Sequence, residues 1–241
     1  MNRAERRADE AHGRQIAAQF RHQVTARVRA NKRLTLAGQA ETRIEQAYDR
    51  DAVGDRASAG VTPDRIPCRP GCAACCEQVV FVTELEARAI IAHYPDVIAD
   101  VVRDLPTREG WLHDTCEQAG IPIDVFDFMA DSARPEQKAQ RGVVLDHWYA
   151  RRIPCAFLDT KTRRCRVYEH RPVSCRDHVL IDEPPTVCDD RSGVPALAFM
   201  TRAAGTAMTE QMQGAKALDL PPRIGVMTTM LIQILLEEKV I

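Results

Sequence analysis

The sequence predicts a mainly α-helical fold with small β pieces, an α+β arrangement, and three observations support this. Apolar side chains recur every fourth residue near the N-terminus, which is the spacing of one helix face. Thr83 is followed three positions later by Glu86, with apolar residues around them, which is the capping-box signature of a helix start. Short runs rich in β-branched and aromatic residues flank turn-forming segments. We therefore expect a cysteine-rich core flanked by N- and C-terminal helices.

Residues 1–50 are predicted to form a basic amphipathic helical segment. Its apolar stripe consists of Ile16, Phe20, Val24 and Val28. No acidic residue lies between Glu10 and Glu41, where the basic residues are Arg14, Arg21, Arg27, Arg29, Lys32 and Arg33. We interpret this helix as packing its stripe on the domain or on a second subunit. The basic face could bind a protein partner whose identity is unknown. Binding of nucleic acid is not expected, because no aromatic side chains interleave the arginines as stacking platforms.

Beyond this segment we expect a linker over 51–66, a cysteine-cluster domain over 67–190 and C-terminal helices over 191–241 that pack on it. A strand is predicted over 78–82, followed by a helix from Thr83 to about His93. Further helices are predicted over 96–105, 107–120 and 135–152. Two short extended runs over 155–158 and 165–168 are joined by a hairpin-like turn, and closing helices follow over 195–213 and 221–240.

Eight of the nine cysteines fall into two groups. The first is Cys68, Cys72, Cys75 and Cys76, and the second is Cys155, Cys165, Cys175 and Cys188. Four thiols within nine residues are costly to keep as inert core, since each exposed thiol invites oxidation. Spacings of two and three residues let a short turn aim two sulfurs at one ion. We therefore predict that these eight cysteines bind a soft metal or an iron–sulfur cluster. Cys116 lies on the apolar face of its helix and is expected to be a buried, small hydrophobic residue outside the site.

The adjacent pair Cys75 and Cys76 bears on the identity of the metal. Side chains of neighbouring residues start in divergent directions, so both fit more easily on different irons of a cluster, or in two sites, than on one tetrahedral ion. This favours an iron–sulfur cluster slightly over zinc. Nearby guanidinium groups would offset the charge of a thiolate centre, and they are Arg69, Arg163, Arg164, Arg166, Arg171 and Arg176. His170 and His178 are expected to be surface or hydrogen-bonding histidines rather than ligands.

Three blocks of sequence carry a resemblance to a known family. They are C-R-P-G-C-A-A-C-C from Cys68 to Cys76, P-C-A-F-L from Pro154 to Leu158, and C-R-V-Y-E-H-R-P-V-S-C-R from Cys165 to Arg176. Over residues 66–178 the chain resembles the YkgJ-type cysteine-cluster family, which is described provisionally as a zinc- or iron-chelating domain. The resemblance implies metal chelation by seven of the eight cysteines. Cys188 lies outside it and is included on count and proximity alone. Ala156 stands where the family has proline.

The resemblance leaves the biological role open. One hypothesis is a structural, electron-transfer or accessory module, because no catalytic acid–base set is recognisable. The alternative is an iron–sulfur enzyme, since flagellin lysine-N-methylases carry a similar cysteine pattern. The spacing of Cys68, Cys72 and Cys75 is also similar to the three-cysteine loop of radical S-adenosylmethionine enzymes, although Ala74 occupies a position that is usually aromatic there. A third hypothesis is a regulatory or assembly protein that senses redox state and engages a partner through its basic helix.

Neither a secretion signal nor a membrane span is evident in the sequence. Residues 1–30 contain no apolar run of seven or more, and the longest apolar stretch, 226–236, is too short and interrupted to cross a bilayer. A net charge of −1 gives the whole molecule no signature of polyanion binding. We therefore expect no membrane association and a cytoplasmic, reducing compartment, where thiols more often bind metal than pair as disulfides.

Overall fold

The computed structural model describes residues 3–62, 64, 66, 73–123, 135–177 and 201–241. The helices in this part of the chain are α1 (Arg3–Ala30), α2 (Lys32–Ser58), α3 (Glu84–His93), α4 (Pro95–Val101), α5 (Leu105–Ala119), α6 (Pro135–Ala150), α7 (Val173–Arg176), α8 (Arg202–Ala217) and α9 (Met227–Glu237). The strands are β1 (Phe81–Thr83), β2 (Leu158–Asp159), β3 (Arg164–Cys165) and β4 (Ile224–Val226). Two 3₁₀ turns, Ala74–Glu77 and Tyr168–His170, complete the elements. The predicted fold class, mainly α with small β pieces, is confirmed.

The two N-terminal helices pack against different parts of the domain. Asn31 separates them and is the N-cap of α2, where its side-chain oxygen accepts a hydrogen bond from Leu34 N at 3.1 Å. Val24 and Val28 are buried where α1 packs along α4, whereas Ile16 is 51% exposed. The predicted apolar stripe is therefore buried only in the C-terminal half of α1.

Two arginines of the basic face of α1 form ion pairs with aspartates of α4 in the same chain. Arg21 pairs with Asp100 at 2.6 Å, and Arg29 pairs with Asp96 at 3.1 Å. Exposed pairs of this kind contribute about 0–1 kcal/mol each. The burial of the α1 valines therefore stabilises the packing of this helix more than the arginines do.

Helix α2 continues to Ser58 and so runs into the segment 51–66 that was predicted to be a linker. Tyr48 and Ala52 are buried against α8, where Ala203 and Ala207 belong to the same apolar cluster. Alanine is the strongest helix former, and its small side chain lets the two helices approach closely. The chain turns only after Ser58, where Gly60 adopts the left-handed conformation with φ 70°.

A two-stranded antiparallel sheet, β1 with β4, joins the first cysteine group to the C-terminal helix. Phe81 pairs with Val226, and Thr83 pairs with Ile224. Helices α3 and α9 pack beside this sheet. Their fully buried side chains include Ile90, Ile91, Leu231, Ile234 and Leu235. The start of β1, close to the cysteines, is thereby fixed against the main apolar core.

Strand β4 was not predicted, because residues 221–240 were expected to form one helix. The structure has Ile224–Val226 extended and begins α9 at Met227. The extended segment is held by main-chain hydrogen bonds at its two ends. Glu84 N donates to Arg223 O at 2.9 Å, and Met227 N donates to Val80 O at 2.9 Å. So short a strand is stable only with its partner, which the local sequence does not reveal.

Three local predictions are confirmed. Thr83 and Glu86 form the capping box that starts α3, since Thr83 Oγ1 accepts from Glu86 N at 3.2 Å and Thr83 N donates to Glu86 Oε2 at 2.8 Å. Helix α5 ends at Gly120, which has φ 66° and so needs the conformational freedom of glycine. Cys116 is 2% exposed and packs in an apolar cluster of α5 and α6.

Within the described residues, no helix has both the length and the apolar character required to cross a bilayer.

Candidate metal centre

The structure brings the two cysteine groups together through their main chains. The 3₁₀ turn Ala74–Glu77 holds Cys75 and Cys76 just before β1. Cys155 N donates a hydrogen bond to Cys76 O at 2.6 Å. Residues that are far apart in the sequence are therefore in direct contact.

A short β-hairpin places Cys165 beside this contact. Leu158 of β2 pairs with Cys165 of β3. The prediction of an extended run over 155–158 is wrong for its first residues. Cys155 begins a turn, which is closed by a hydrogen bond from Leu158 N to Cys155 O at 3.0 Å. The hairpin turn itself is held by Asp159, whose carboxylate accepts a hydrogen bond from Lys161 N at 2.9 Å.

Five of the eight predicted ligands lie in the described part of the chain, namely Cys75, Cys76, Cys155, Cys165 and Cys175. The other three, Cys68, Cys72 and Cys188, lie outside the described residues. All six described cysteines, including Cys116, are free thiols. Their sulfurs are thus not tied up in disulfides with one another.

Four thiols influence one another's protonation: Cys75, Cys155, Cys165 and Cys175. Burial, together with the neighbouring Cys165 and Cys75, raises the pKa of the Cys155 thiol to about 11. Burial also raises the pKa of Cys175 well above its ordinary value, and the other three thiols add to this increase. Because such mutual effects weaken with distance, the four thiols occupy one region. Without a cation, they are protonated at neutral pH.

The thiols of Cys155 and Cys165 each accept a hydrogen bond from the main-chain N–H of the residue two positions later in the sequence. Phe157 N donates to Cys155 Sγ at 3.4 Å and so opposes the effect of burial on the Cys155 pKa. The N–H of Val167 acts in the same direction on the pKa of Cys165. Donors aimed at sulfur stabilise the thiolate, which is the form that binds metal. The local backbone is therefore suited to anionic sulfur.

The adjacent thiols of Cys75 and Cys76 contact each other. A hydrogen bond between the two side chains is the main reason why the pKa of Cys75 is raised, and burial is the second. The expected divergence of the two side chains therefore does not keep their partly buried thiols from interacting within the 3₁₀ turn. Divergence consequently no longer distinguishes an iron–sulfur cluster from zinc.

Guanidinium groups from the predicted set act on the thiols to different extents. Arg171 opposes the increase in the pKa of both Cys75 and Cys165, and Arg166 does so for Cys165. Arg176 instead pairs with Asp49 at 2.9 Å. Two others, Arg163 and Arg164, are exposed, and Arg69 lies outside the described residues. Only part of the predicted arginine set therefore faces the thiols.

Arg108 is a further arginine at the site that the sequence analysis missed. It lies on α5, far from both cysteine groups in sequence, and its charge opposes the increase in the pKa of Cys155. A signal was present, because Arg108 falls on the same helical face as the buried residues Leu105, Leu112 and Cys116. A charged residue within an apolar stripe indicates a buried electrostatic role.

Two buried carboxylates, also missed from the sequence, hold the short helix α7 that carries Cys175. Glu86 accepts a hydrogen bond from Val173 N, the first residue of α7, at 2.7 Å. Asp177 follows α7 and accepts from Thr201 N at 2.9 Å and from Thr201 Oγ1 at 2.8 Å. The capping-box role of Glu86 had obscured this second contact. Helix α7 is thus fixed at both ends.

His170 is a hydrogen-bonding histidine, as expected. Its Nδ1 lies 2.6 Å from Glu45 Oε2, and its ring stacks on His93 with centroids 3.9 Å apart and an interplanar angle of 4°. The in-plane lone pairs of two parallel stacked rings do not converge on one ion. His178 lies outside the described residues.

The donor chemistry of the site fits a thiophilic metal. Within the part of the chain that the structure describes, no three cysteine, histidine or carboxylate side chains already stand at metal-binding distances from a common point. The segments joined by the main-chain contact between Cys155 and Cys76 nevertheless carry thiols, accompanied by N–H and guanidinium donors. Sulfur donors select zinc or clustered iron over magnesium and calcium.

Comparison with known families agrees with this chemistry. Residues 67–189 match the CxxCxxCC family, described provisionally as a zinc- or iron-chelating domain, and they make up slightly more than half of the 241 residues. The chain belongs to the CxxCxxCC family. The match includes Cys188, which the resemblance seen in the sequence left outside, so all eight predicted ligands fall within the CxxCxxCC domain. Between Cys68 and Cys72 this member has three residues where the family's name has two.

The family assignment supports a metal-chelating role and does not distinguish zinc from iron. No curated protein and no solved structure matches the chain.

Proposed function

We propose that this protein holds an iron–sulfur cluster or zinc through its clustered cysteines and acts as a structural, electron-transfer or accessory module. The proposed ligands are Cys68, Cys72, Cys75, Cys76, Cys155, Cys165, Cys175 and Cys188. The observation that carries the proposal is the hydrogen bond from Cys155 N to Cys76 O, because it joins the two cysteine groups. The mutual electrostatic effects of four buried thiols support the same conclusion.

The protonation chemistry of the site explains how binding and folding are linked. Burial keeps the thiols neutral, whereas a bound cation favours their deprotonation and releases protons. Phe157 N and the N–H of Val167 then donate to anionic sulfur and fix the orientation of Cys155 and Cys165. Metal affinity should therefore increase with pH.

The direct test is a metal and sulfide analysis, with a visible absorption spectrum, of full-length protein purified without oxygen. A brown protein with iron and acid-labile sulfide identifies a cluster, whereas a colourless protein with zinc identifies a zinc site. Wild-type protein that is folded and carries no metal would overturn the proposal.

Single cysteine substitutions test which thiols bind. We expect Cys155→Ser, Cys165→Ser and Cys175→Ser each to weaken metal retention by at least about tenfold, because each removes a donor atom that no neighbour replaces. Cys116→Ala is the matched control, since Cys116 is buried in a separate apolar cluster. Metal content measured after gel filtration should be unchanged in this variant. Equal retention in all four variants would show that these thiols are not ligands.

A further inference from the structure

Two arginines bind the main-chain carbonyls of the residues that precede and follow Cys155. Arg108 of α5 donates a hydrogen bond to the carbonyl of Pro154, which precedes Cys155. Arg166, which follows β3, donates to the carbonyl of Ala156, the next residue after Cys155, at 3.1 Å. Each guanidinium is thus fixed to the main chain at a residue adjacent to Cys155. This arrangement is created by the fold, because only Arg166 is close to a cysteine in sequence.

The two cations lie near each other, and their close approach is unfavourable by itself. Burial lowers the pKa of Arg108 and the positive charge of Arg166 adds to this, whereas the Cys155 thiol and the carboxylate of Asp104 oppose the decrease. The Nε atoms of both side chains are buried and, within the described residues, have no hydrogen-bond partner. Asp100 lies 3.6 Å from Arg166 but is also bound to Arg21 at 2.6 Å. Two close cations with unused N–H donors are stabilised by additional negative charge beside them.

We propose that Arg108 and Arg166 are positioning residues of the metal centre. The two arginines hold Cys155 in place and stabilise the negative charge of the thiolates that bind the metal. This inference rests on the proposed function. Four thiolates around one Zn²⁺ leave an excess of about two negative charges, and oriented cationic donors in the surrounding shell offset such an excess. Arg171 also acts on the protonation of two of the thiols, but its guanidinium lies over the ring of the exposed Tyr168 at 4.3 Å. Within the described residues it makes no hydrogen bond to a carbonyl next to Cys155.

The test measures how fast the centre gives up its metal. Full-length protein purified without oxygen, with the metal it carries, is challenged with excess chelator: 4-(2-pyridylazo)resorcinol for zinc or bathophenanthroline for iron. Arg108→Gln removes the charge and keeps a neutral N–H donor only at the level of the arginine Nε, whereas Arg108→Lys keeps the charge on a longer side chain. We expect metal release to be about tenfold faster in Arg108→Gln and close to the wild-type rate in Arg108→Lys, as is typical for residues that surround metal ligands.

Arg166→Gln provides a second, independent measurement, because its side chain is 31% exposed and its loss disturbs the core less. We expect it to accelerate metal release to a similar extent. The matched control is Arg151→Gln. Arg151 also donates to a main-chain carbonyl of α5, that of Trp111 at 3.2 Å, and its other bond is to the Thr115 hydroxyl at 2.8 Å, in the part of α5 that carries Cys116. This variant should release metal at the wild-type rate.

Two results would overturn the inference while leaving the proposed function intact. One is wild-type release rates in both Arg108→Gln and Arg166→Gln. The other is equally fast release in Arg108→Lys and Arg108→Gln, which would exclude a role for the charge. Absence of metal from the folded wild-type protein is a different result, because it removes the proposed function itself. Circular dichroism at the assay temperature identifies any variant whose faster release comes from unfolding.

Discussion

Glu45 is a buried carboxylate that changes its protonation state near neutral pH. Its Oε2 lies 2.6 Å from His170 Nδ1, and its Oε1 lies 3.4 Å from a guanidinium nitrogen of Arg176. Burial raises the pKa of Glu45 from 4.5 to about 7, although the charge of Arg176 opposes the increase. The folded protein therefore keeps this proton to a higher pH than the unfolded chain does.

We expect Glu45→Gln to remove a pH-dependent contribution to stability. Between pH 4.5 and about 7 the unfolded state loses the Glu45 proton first, so the free energy of unfolding of the wild type falls as pH rises. The shift corresponds to at most about 3 kcal/mol. Urea denaturation of both proteins at pH 5 and pH 8 measures it. The stability of the wild type relative to the variant should be lower at pH 8. A difference that is the same at both pH values would contradict this assignment.

At the scale of elements, a buried ionic network ties α3 to the C-terminal region. Arg88 of α3 is 1% exposed, and it binds Glu84 one turn earlier at 2.6 Å and Glu238 just after α9. Arg223, which precedes β4, binds the other oxygen of Glu84 at 2.6 Å. The network closes where β1 and β4 pair, and so it supports the elements next to the first cysteine group.

We expect Arg88→Ala to destabilise the fold by about 3 kcal/mol, because it leaves buried carboxylates with one cationic partner fewer. Arg29→Ala is the control, since it also removes an arginine–carboxylate pair, here the exposed pair with Asp96. Its cost should be below about 1 kcal/mol. Midpoints of urea denaturation measure both. Equal losses in the two variants would show that burial does not strengthen the Arg88 network.

The elements differ in how far the sequence could reveal them. Helix α3 was predicted because its start depends on Thr83 and Glu86, which lie three residues apart. Strand β4 was missed because its conformation depends on hydrogen bonds to β1, which is far away in sequence. The candidate site divides in the same way. The cysteines were visible in their spacing, whereas the position of Arg108 beside Cys155 arises only when α5 packs near the hairpin.

At the scale of the whole molecule, residues 11–16 of α1 contribute little to the packed structure. Residues 11–16 are exposed, while Val24 and Val28 further along the helix are buried. Among residues 11–30, the apolar side chains that α1 buries most fully, Val24 and Val28, lie where it packs along α4.

We expect Ile16→Ala to leave the melting temperature and the metal content nearly unchanged, because the Ile16 side chain is 51% exposed and buries little apolar surface. Val28→Ala, in the buried half, should instead cost about 2 kcal/mol through lost burial and a small cavity. Differential scanning calorimetry and metal analysis of both variants test this division. A large loss of stability in Ile16→Ala would show that this exposed segment is part of the core packing after all.

The pairing of β4 with β1 has a consequence for synthesis. A chain leaves the ribosome in order from its first residue. Leu231, Ile234 and Leu235, which fill the core beside β1 and α3, emerge only after both cysteine groups have been translated. The thiols of Cys75 and Cys155 are therefore open to solvent during this interval. Delivery of an inorganic cofactor and damage by oxidants compete for them until the last helix docks.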